Sequence, residues 1–395
     1  MRKFTSILLT LLLLLLQCMT PYTKAFATKN ISDESDLNIT AKGALLMEAS
    51  TGTVLFEQNS HEPLRPASVT KIMTLILIFE ALEKKAITLE DIVTISESAA
   101  KMGGSQVFLE AGETQTVDTL LKCIAVASAN DACVAMAEFI DGSEKAFVKQ
   151  MNKKAHALGM KDTKFVNCCG LDADGHQTSA YDIALMSREL TIHHPQIHEY
   201  STIWMETITH TTKKGSSEFG LANTNKLIKQ YKYATGLKTG STSLAKYSVS
   251  ATAVKNNVEL IAVILAAPDY KVRFTQAMEL LNYGFSKCKV YQDKKEKNLP
   301  LLSVKGGKKD HVSLTYVAPF TYVDVKGINF KQIKCIIKLP KTVTAPLKKG
   351  EAIGSMEYRF KNKILGSISI CCNEAIEKTT LKFCILKILS MFSLG

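Results

Sequence analysis

The chain has 395 residues, of which 46% are hydrophobic and 22% are charged, and its formal net charge at pH 7 is +12. This length can hold more than one hydrophobic core, and the composition, which has no long low-complexity tract, is ordinary for a soluble protein. Because no basic tract is interleaved with aromatic residues, the positive charge favours contact with anionic polymers or a lipid surface over nucleic acid.

The first 27 residues are predicted to be a signal peptide. Arg2 and Lys3 precede an apolar run over residues 7–16, and the sequence Ala-Phe-Ala that ends at Ala27 matches a small-x-small cleavage site. The run is too short to span a bilayer. We therefore expect cleavage after Ala27 and export of residues 28–395.

The cysteines and histidines indicate neither a disulfide scaffold nor a metal site. The ten cysteines include no C-x-x-C pair. Cys123 and Cys133 lie in apolar stretches and are expected to be small core residues. His193, His194 and His198 form the only histidine cluster, but no carboxylate lies at ligand spacing, so we predict a solvated loop there.

Beyond the signal peptide, the first predicted elements are a hairpin over residues 43–58 and a helix over residues 68–84. Pro66 precedes Ser68 and an apolar run, which is typical of a helix start. Ser68 is therefore expected in the first turn, where backbone N–H groups lack partners and the helix dipole favours negative charge. Lys71 projects from the same face three residues later.

Helices are predicted over most of residues 89–201, with loops at residues 103–105 and 167–177. Ser128-Ala129-Asn130, a motif that occurs once, lies between two apolar stretches of this region. Strands dominate residues 207–266. Because strands flank a helical insertion, the pattern predicts an α/β sandwich with a helical subdomain.

Lys238-Thr239-Gly240 also occurs once, and we place it at the start of a hairpin. The strands of this hairpin are predicted over residues 240–254 and 258–266, with the turn at Asn256-Asn257. Gly236 and Gly240 are expected to leave a strand edge that another backbone can approach closely. Ser-x-x-Lys alone carries little information, since it recurs in this chain, but the three motifs together do.

The C-terminal third differs in pattern. A helix over residues 272–285 is predicted to precede a lysine-rich linker over residues 287–297. Residues 300–371 alternate short apolar and polar runs, which is typical of a small antiparallel β domain. This region contains no catalytic motif, so we expect a spacer or docking module.

The tail over residues 376–394 is predicted to be an amphipathic helix. It is too short to span a bilayer but suits the membrane interface, with its lysines towards anionic headgroups. A helix packed on the β domain is the alternative. The apolar face consists of Leu381, Cys384, Ile385, Ile388, Met391 and Phe392.

The three motifs, in this order, resemble those of the serine-type D-alanyl-D-alanine carboxypeptidases, which are low-molecular-mass penicillin-binding proteins. The similarity covers roughly residues 41–371. It implies a β-lactamase/transpeptidase-like α/β sandwich with a helical subdomain, a small all-β C-terminal domain and an amphipathic C-terminal helix. It implies neither a cofactor nor a metal.

On this basis we divide the chain into four parts: a signal peptide (1–27), a penicillin-binding serine carboxypeptidase domain (28–286), a β-rich domain (287–375) and an amphipathic membrane-anchoring helix (376–395). We expect the mature protein at the outer face of the cytoplasmic membrane, peripherally anchored by its tail, or secreted if the tail does not bind.

The motifs supply the groups needed for acyl transfer through a covalent serine ester. Ser68 Oγ is the expected nucleophile, and Lys71, desolvated and close to other cations, is expected to take its proton. By similarity to the family, the backbone N–H groups of Ser68 and Ser241 hold the oxyanion. Ser128 would relay the proton to the departing D-alanine, and Asn130 would position Lys71.

The third motif is expected to bind the substrate's terminal carboxylate, for which a fixed cation and a hydroxyl are suitable partners. The substrate implied by the resemblance is a peptidoglycan pentapeptide that ends in D-Ala-D-Ala, and β-lactam antibiotics are the implied inhibitors. The predicted catalytic residues are Ser68, Lys71, Ser128 and Asn130, and the predicted substrate-binding residues are Lys238, Thr239, Gly240 and Ser241.

Two positions depart from the family pattern. Cys169 stands where a histidine often precedes Gly-Leu, and Lys246 stands where a small residue is usual; both bear on deacylation. Arg273 could assist carboxylate binding or lie on the surface.

A class A β-lactamase would need Glu-x-x-Leu-Asn between Asn130 and Lys238, and this string is absent. A transpeptidase or endopeptidase of the same fold, or a catalytically idle cell-wall-binding protein, are the alternatives.

Overall fold

The computed structural model describes residues 37–212, 215–293 and 298–392, with side chains as far as residue 386. The predicted signal peptide lies outside the described residues. In chain order the first elements are β1 (Gly43–Glu48), β2 (Thr53–Gln58), α1 (Lys71–Glu83), β3 (Ile92–Thr94), α2 (Glu97–Ala100), β4 (Thr114–Thr116), α3 (Val117–Ala125), α4 (Asn130–Asp141), α5 (Glu144–Ala157), α6 (Ala180–His193), α7 (Ile197–Ser201), β5 (Met205–Thr212), β6 (Gly215–Ala222) and α8 (Leu227–Gln230).

The remaining elements form one long helix, a series of short strands and a terminal helix. They are β7 (Ala234–Thr242), β8 (Lys246–Lys255), β9 (Val258–Ala267), α9 (Tyr270–Lys287), β10 (Lys289–Gln292), β11 (Leu302–Lys305), β12 (His311–Val312), β13 (Leu314–Tyr316), β14 (Thr321–Asp324), β15 (Ile333–Lys338), β16 (Thr342–Thr344), β17 (Ala352–Phe360), β18 (Lys363–Cys372) and α10 (Leu381–Phe392).

A five-stranded antiparallel sheet in the order β2-β1-β9-β8-β7 separates two cores. Because side chains alternate along a strand, Leu45 and Met47 of β1 face the helices α1 and α3–α6, whereas Ala44 and Leu46 face α9. The helix α1 is buried round most of its circumference, as its almost wholly apolar sequence requires. The predicted sandwich with a helical subdomain is confirmed.

The predicted strand over residues 240–254 is wrong. The chain turns after Thr242, where Ala245 N donates to Thr242 Oγ1 at 2.9 Å and Lys246 adopts a φ of +57°. Lys238-Thr239-Gly240 therefore lies within β7 and not at the start of the following strand. The turn at Asn256-Asn257 is confirmed, and both asparagines have positive φ, as a tight two-residue turn needs.

The histidine cluster is not the solvated loop that we predicted, apart from His193. His194 is only 5% exposed and stacks on Phe79. His198 lies within hydrogen-bonding distance of Thr235 O and pairs with Glu259. The helices α6 and α7 are separated by a single short turn, which folds these histidines against the core.

Between α9 and α10 the described residues form strands, as predicted, apart from one 3-10 turn at Phe330–Gln332. The strands make a two-stranded pair (β10-β14), a three-stranded sheet (β12-β11-β16) and a four-stranded sheet (β13-β18-β17-β15). The first half of the predicted linker forms a strand, since β10 pairs with β14. The predicted start of the terminal helix at residue 376 is wrong: the helix begins at Leu381, because Ile376 and Lys378 form β-bridges to Leu347 and Gly307. Among the described residues, no helix combines the length and apolar character needed to cross a membrane.

Candidate active site

Ser68 lies in a tight turn at the start of α1. Residues Ala67–Thr70 form a 3-10 turn that leads directly into the helix. Ala67 is buried at a φ of +48°, in the left-handed region, while Ser68 remains partly exposed. The turn therefore keeps the Ser68 hydroxyl accessible at the end of a buried helix.

Lys71 is fully buried, and its Nζ contacts three oxygen atoms. It lies 2.9 Å from Ser68 Oγ, 2.6 Å from Asn130 Oδ1 and 2.7 Å from the backbone oxygen of Cys169. The two carbonyl oxygens can only accept hydrogen bonds, whereas a hydroxyl can donate or accept. If a neutral lysine amine donates to both carbonyls, its lone pair faces Ser68 Oγ. The arrangement can therefore receive the Ser68 proton.

Asn130 begins α4, and its amide is oriented by the loop at residues 103–105. Asn130 Nδ2 donates to Gly103 O at 2.6 Å, and the backbone N of Asn130 donates to Ser105 O at 2.7 Å. Because Gly103 O can only accept, the amide oxygen must face Lys71. The loop thus fixes which end of the Asn130 amide meets the lysine.

Ser128 is 3% exposed and adopts a φ of +62°. Its Oγ has no hydrogen-bond partner within the described part of the chain. Buried polar atoms are normally hydrogen-bonded. The free hydroxyl, two residues from Asn130, is therefore available to a bound molecule.

Gly240 brings the edge strand β7 against the Ser68 turn. β7 pairs with β8 on one side, and its other side faces the turn. A Cβ at Gly240 would lie 2.8 Å from Pro66 O and 3.0 Å from Ser68 N. No other residue type fits without displacing backbone. The close approach predicted from this glycine is confirmed.

Lys238 and Thr239 lie beside this contact. Lys238 is 1% exposed, and burial together with the nearby charge of Lys71 lowers the pKa of Lys238 well below its usual range. Thr239 Oγ1 donates to Thr224 Oγ1 at 2.8 Å. A bound anion would favour the charged form of Lys238, so this part of the site suits a carboxylate. Ser241, which follows Gly240 in β7, is exposed.

Arg273 is 8% exposed, so the surface interpretation is wrong. Its Nη1 donates to Gly240 O at 3.1 Å and to Ser248 O at 3.3 Å. Burial lowers the pKa of Arg273 to about 10. Arg273 thus ties α9 to the backbone of β7 next to the third motif.

Two protein families match the chain. The D-alanyl-D-alanine carboxypeptidase family matches residues 28–269, and the C-terminal domain of penicillin-binding protein 5 matches residues 285–378.

The chain belongs to the D-alanyl-D-alanine carboxypeptidase family.

Its relatives are similar over most of their length. The chain is 42% identical over 372 residues to D-alanyl-D-alanine carboxypeptidase DacF of Bacillus subtilis, which covers 94% of this chain and 95% of the relative. It is 32% identical over 351 residues to DacC of Escherichia coli, with 86% and 85% covered. These similarities establish the chain as a serine peptidase, and so as a hydrolase.

Solved structures show the same fold. The structure of PBP3 from Streptococcus pneumoniae, described as a peptidoglycan synthesis regulatory factor, superposes with a TM-score of 0.69 at 29% identity over 86% of this chain and 100% of that one. Penicillin-binding protein 5 of Haemophilus influenzae gives 0.63 at 30% identity, with 86% and 98% covered.

The loop over residues 167–177, which carries Cys169, closes the other side of the candidate site. Gly170 has a φ of +89°, and a Cβ there would lie 1.9 Å from Ala67 O. Asn167 Oδ1 accepts from Gly170 N at 2.7 Å and from Leu171 N at 3.1 Å. Sequence reasoning gave Gly170 no role, although a glycine at a tight loop bend is a signal for close backbone approach.

Cys169 meets Lys71 through its backbone oxygen, so the contact does not depend on the side chain at this position. The thiol is fully buried and lies beside the thiol of Cys168. A hydrogen bond from Cys168 and the charge of Lys71 lower the pKa of Cys169 to about 7, against the effect of burial. The effect of Cys169 and Lys246 on deacylation stays a prediction.

Replacement of Gly170 by alanine should displace the Ser68 turn. We expect Gly170→Ala to lower the free energy of unfolding by about 4 kcal/mol or more, because the new methyl group overlaps Ala67 O and the φ is positive. The rate of Ser68 acylation by a labelled penicillin should fall at least tenfold. Chemical denaturation and a gel-based acylation assay measure the two effects.

Gly175→Ala is the matched control in the same loop. Gly175 also has a positive φ, but its nearest neighbour would be Lys164 Nζ at 3.8 Å, so only the backbone strain of about 1 kcal/mol should appear. Equal losses in the two variants would show that the contact with Ala67 is unimportant.

His176 should make the stability of this fold depend on pH. His176 Nδ1 accepts from Val166 N at 3.0 Å, and the opposite ring nitrogen lies 2.8 Å from Thr70 Oγ1. Burial lowers the pKa of His176 from 6.5 to about 4. The contribution of neutral His176 to the free energy of unfolding is therefore complete above pH 6.5. It is lost as the pH falls towards 4, because the unfolded chain binds the proton at a higher pH than the folded chain does.

The expected loss over this range is about 3 kcal/mol. Urea unfolding at several pH values would measure it in the wild type and in His176→Gln, which cannot take up the proton. A wild-type pH dependence identical to that of the variant would rule out His176 as its source.

Proposed function

We propose that this protein removes the terminal D-alanine from peptidoglycan pentapeptides through an acyl-enzyme on Ser68, and that β-lactams acylate the same serine. The observation that carries the proposal is the set of three oxygen contacts at Lys71 Nζ, because it leaves one position for a proton from Ser68 Oγ. Membership of the carboxypeptidase family supports the substrate.

The first step is attack of Ser68 Oγ on the carbonyl carbon between the two D-alanines, while its proton passes to Lys71 Nζ. The developing oxyanion accepts hydrogen bonds from the backbone N–H groups of Ser68 and Ser241. Gly240 places these two segments in contact, which supports the assignment.

The second step breaks the C–N bond, and the departing amine of D-alanine receives, through Ser128, the proton that Lys71 took from Ser68. The unpartnered Ser128 hydroxyl favours this role. Lys238 and Thr239 hold the terminal carboxylate, which compensates the buried cation. Water then attacks the ester carbonyl and gives a proton to Lys71. The bond to Ser68 breaks, Ser68 Oγ takes the proton back, and the shortened peptide leaves with a free carboxyl group.

The direct test is D-alanine release from a peptide that ends in D-Ala-D-Ala. We expect release by the wild type and none above background from Ser68→Ala, which lacks the nucleophile. Ser98→Ala is the matched control, because Ser98 also begins a Ser-x-x-Lys sequence but is exposed, and Lys101 pairs with Glu97. Its activity should be unchanged.

Three outcomes would contradict the proposal. Release that persists in Ser68→Ala would exclude Ser68 as the nucleophile. Release that requires an added amine acceptor would favour a transpeptidase of the same fold, and a folded, penicillin-reactive wild type without release would exclude the carboxypeptidase reaction.

We further propose that the helix α10 anchors the mature enzyme at the outer face of the membrane, with the division at residues 28–286, 287–375 and 376–395. The family matches at residues 28–269 and 285–378 support the boundary near residue 286, whereas the β-bridges of Ile376 and Lys378 move the last boundary to the start of α10 at Leu381.

The apolar side chains of α10 favour the anchor over packing on the β domain. Leu381, Ile385 and Leu386 are 79%, 49% and 55% exposed. The start of α10 is held by Thr379, whose N and Oγ1 donate to Gly306 O and Gly307 O. A firmly attached helix with uncovered apolar side chains suits an interfacial anchor.

Glutamate at Leu381, Ile385 and Leu386 should abolish sedimentation of the mature protein with vesicles of anionic phospholipid, because it removes the apolar contact. D-alanine release should not change. The matched control places glutamate at Ile336, Ile337 and Ile364, which are exposed on the C-terminal sheet. Vesicle binding that survives the α10 changes would contradict the anchor.

A further inference from the structure

The positive charge of the chain is concentrated in its C-terminal part. Residues 28–297 contain 30 lysines and arginines against 31 aspartates and glutamates, whereas residues 298–395 contain 16 against six and so carry a net charge of +10. A large charge of one sign repels itself and attracts partners of the opposite sign. The C-terminal β domain is therefore the part of the protein that suits an anionic partner.

Five of these cations meet at one end of the four-stranded sheet. Lys334 of β15 lies directly opposite Arg359 of β17, and Phe360 pairs with Lys363 at the turn into β18. Because neighbouring strands are about 5 Å apart, these side chains share a short stretch of surface. This distal cluster consists of Lys331, Lys334, Arg359, Lys361 and Lys363.

The protein itself neutralises little of the charge of the distal cluster. Arg359 pairs with Glu357, which also pairs with Lys338. The four lysines of the cluster are exposed, and none of them forms an ion pair within residues 37–212, 215–293 and 298–392. Like charges directly opposite each other destabilise a sheet. A bound anion would therefore stabilise the facing pair of Lys334 and Arg359.

The hairpin turn of the cluster carries an unfavourable residue. Lys361 has a φ of +53°, in the left-handed region where turns favour glycine or asparagine. Its Nζ lies over the ring of Phe360, 5.5 Å from the centroid. Strained residues of this kind are concentrated at binding sites. The conformation therefore supports a role for the Lys361 charge that offsets the cost of placing lysine here.

The distal cluster is separate from the proposed membrane anchor. β18 runs from Lys363 to Cys372, and Cys372 packs in the same small core as Ile376, shortly before α10. Nine residue steps along a strand span about 30 Å. Because salt screens exposed charges beyond roughly 8 Å, the cluster does not reinforce the headgroup contact at the base of α10. This separation favours a partner other than those headgroups.

We propose that the distal cluster binds a flexible linear polymer that carries one phosphodiester in each repeat, outside the cell where we expect the mature enzyme. Lysine ammonium groups bind phosphate oxygens as point charges and require no fixed orientation, which suits a flexible chain of single charges. The contact would hold the enzyme at a second point, away from α10. It does not depend on the proposed D-alanine release.

The test measures binding of end-labelled poly(glycerol phosphate) to the full-length mature protein by fluorescence anisotropy. Binding to the wild type should weaken at least tenfold between about 50 and 200 mM NaCl, because the contact releases counterions. The combined changes Lys334→Gln, Lys361→Asn and Lys363→Gln should weaken it at least tenfold at the lower salt concentration. Asparagine accepts the positive φ, so this variant should fold as well as the wild type.

The matched control changes three exposed lysines on α5 to glutamine, which alters the net charge by the same amount. It should bind the polymer within about twofold of the wild type. Equal losses in the two triple variants would show a general effect of net charge and would overturn the distal cluster as the site. The control positions are Lys145, Lys149 and Lys153.

A second measurement separates the polymer from the membrane. The distal-cluster variant should sediment with vesicles of anionic phospholipid as the wild type does, because α10 carries that contact. Loss of vesicle binding with polymer binding unchanged would make lipid headgroups the partner and would overturn the proposal. Neither measurement requires D-alanine release, so failure of the proposed carboxypeptidase reaction would leave both results valid.

Discussion

The site depends on one buried amine. Lys71 Nζ joins three segments that are distant in sequence: the turn before α1, the start of α4 and the loop at residues 167–177. Two of its partners can only accept hydrogen bonds, and the Asn130 amide is itself fixed by Gly103. Of the three oxygen atoms that contact Lys71 Nζ, only Ser68 Oγ can therefore give up a proton.

Backbone packing keeps Ser68 in place for this exchange. The turn is enclosed by two glycines, Gly170 against Ala67 O and Gly240 against Pro66 O and Ser68 N. Side chains at either glycine would push the turn away from the lysine or from the sheet. The position of Ser68 therefore depends on the absence of side chains at Gly170 and Gly240 as well as on the reactive residues. Arg273 also connects α9 to the strand that carries Gly240, through its hydrogen bond to Gly240 O.

The motifs predicted which residues meet, because each motif combines a reactive side chain with a local helix or strand signal. The sequence also predicted the sandwich with a helical subdomain, because strand patterns flank a long helical stretch. It placed the strand boundary near Gly240 wrongly, since the turn after Thr242 has no strong turn sequence and depends on a side-chain hydrogen bond. Contacts between distant backbones, such as Gly170 with Ala67, leave no periodic pattern. The burial of His194 depends on how two helices pack together, and that of Arg273 on how α9 packs on the sheet.

The central claim is that Lys71 takes the Ser68 proton, and the most direct measurement is the rate of Ser68 acylation by benzylpenicillin, followed by intact mass, in Lys71→Arg. Arginine carries a positive charge and cannot accept a proton near neutral pH. The account predicts a fall of about 10³-fold in a folded variant, whereas Lys101→Arg leaves the rate unchanged. Acylation of Lys71→Arg at the wild-type rate would contradict it.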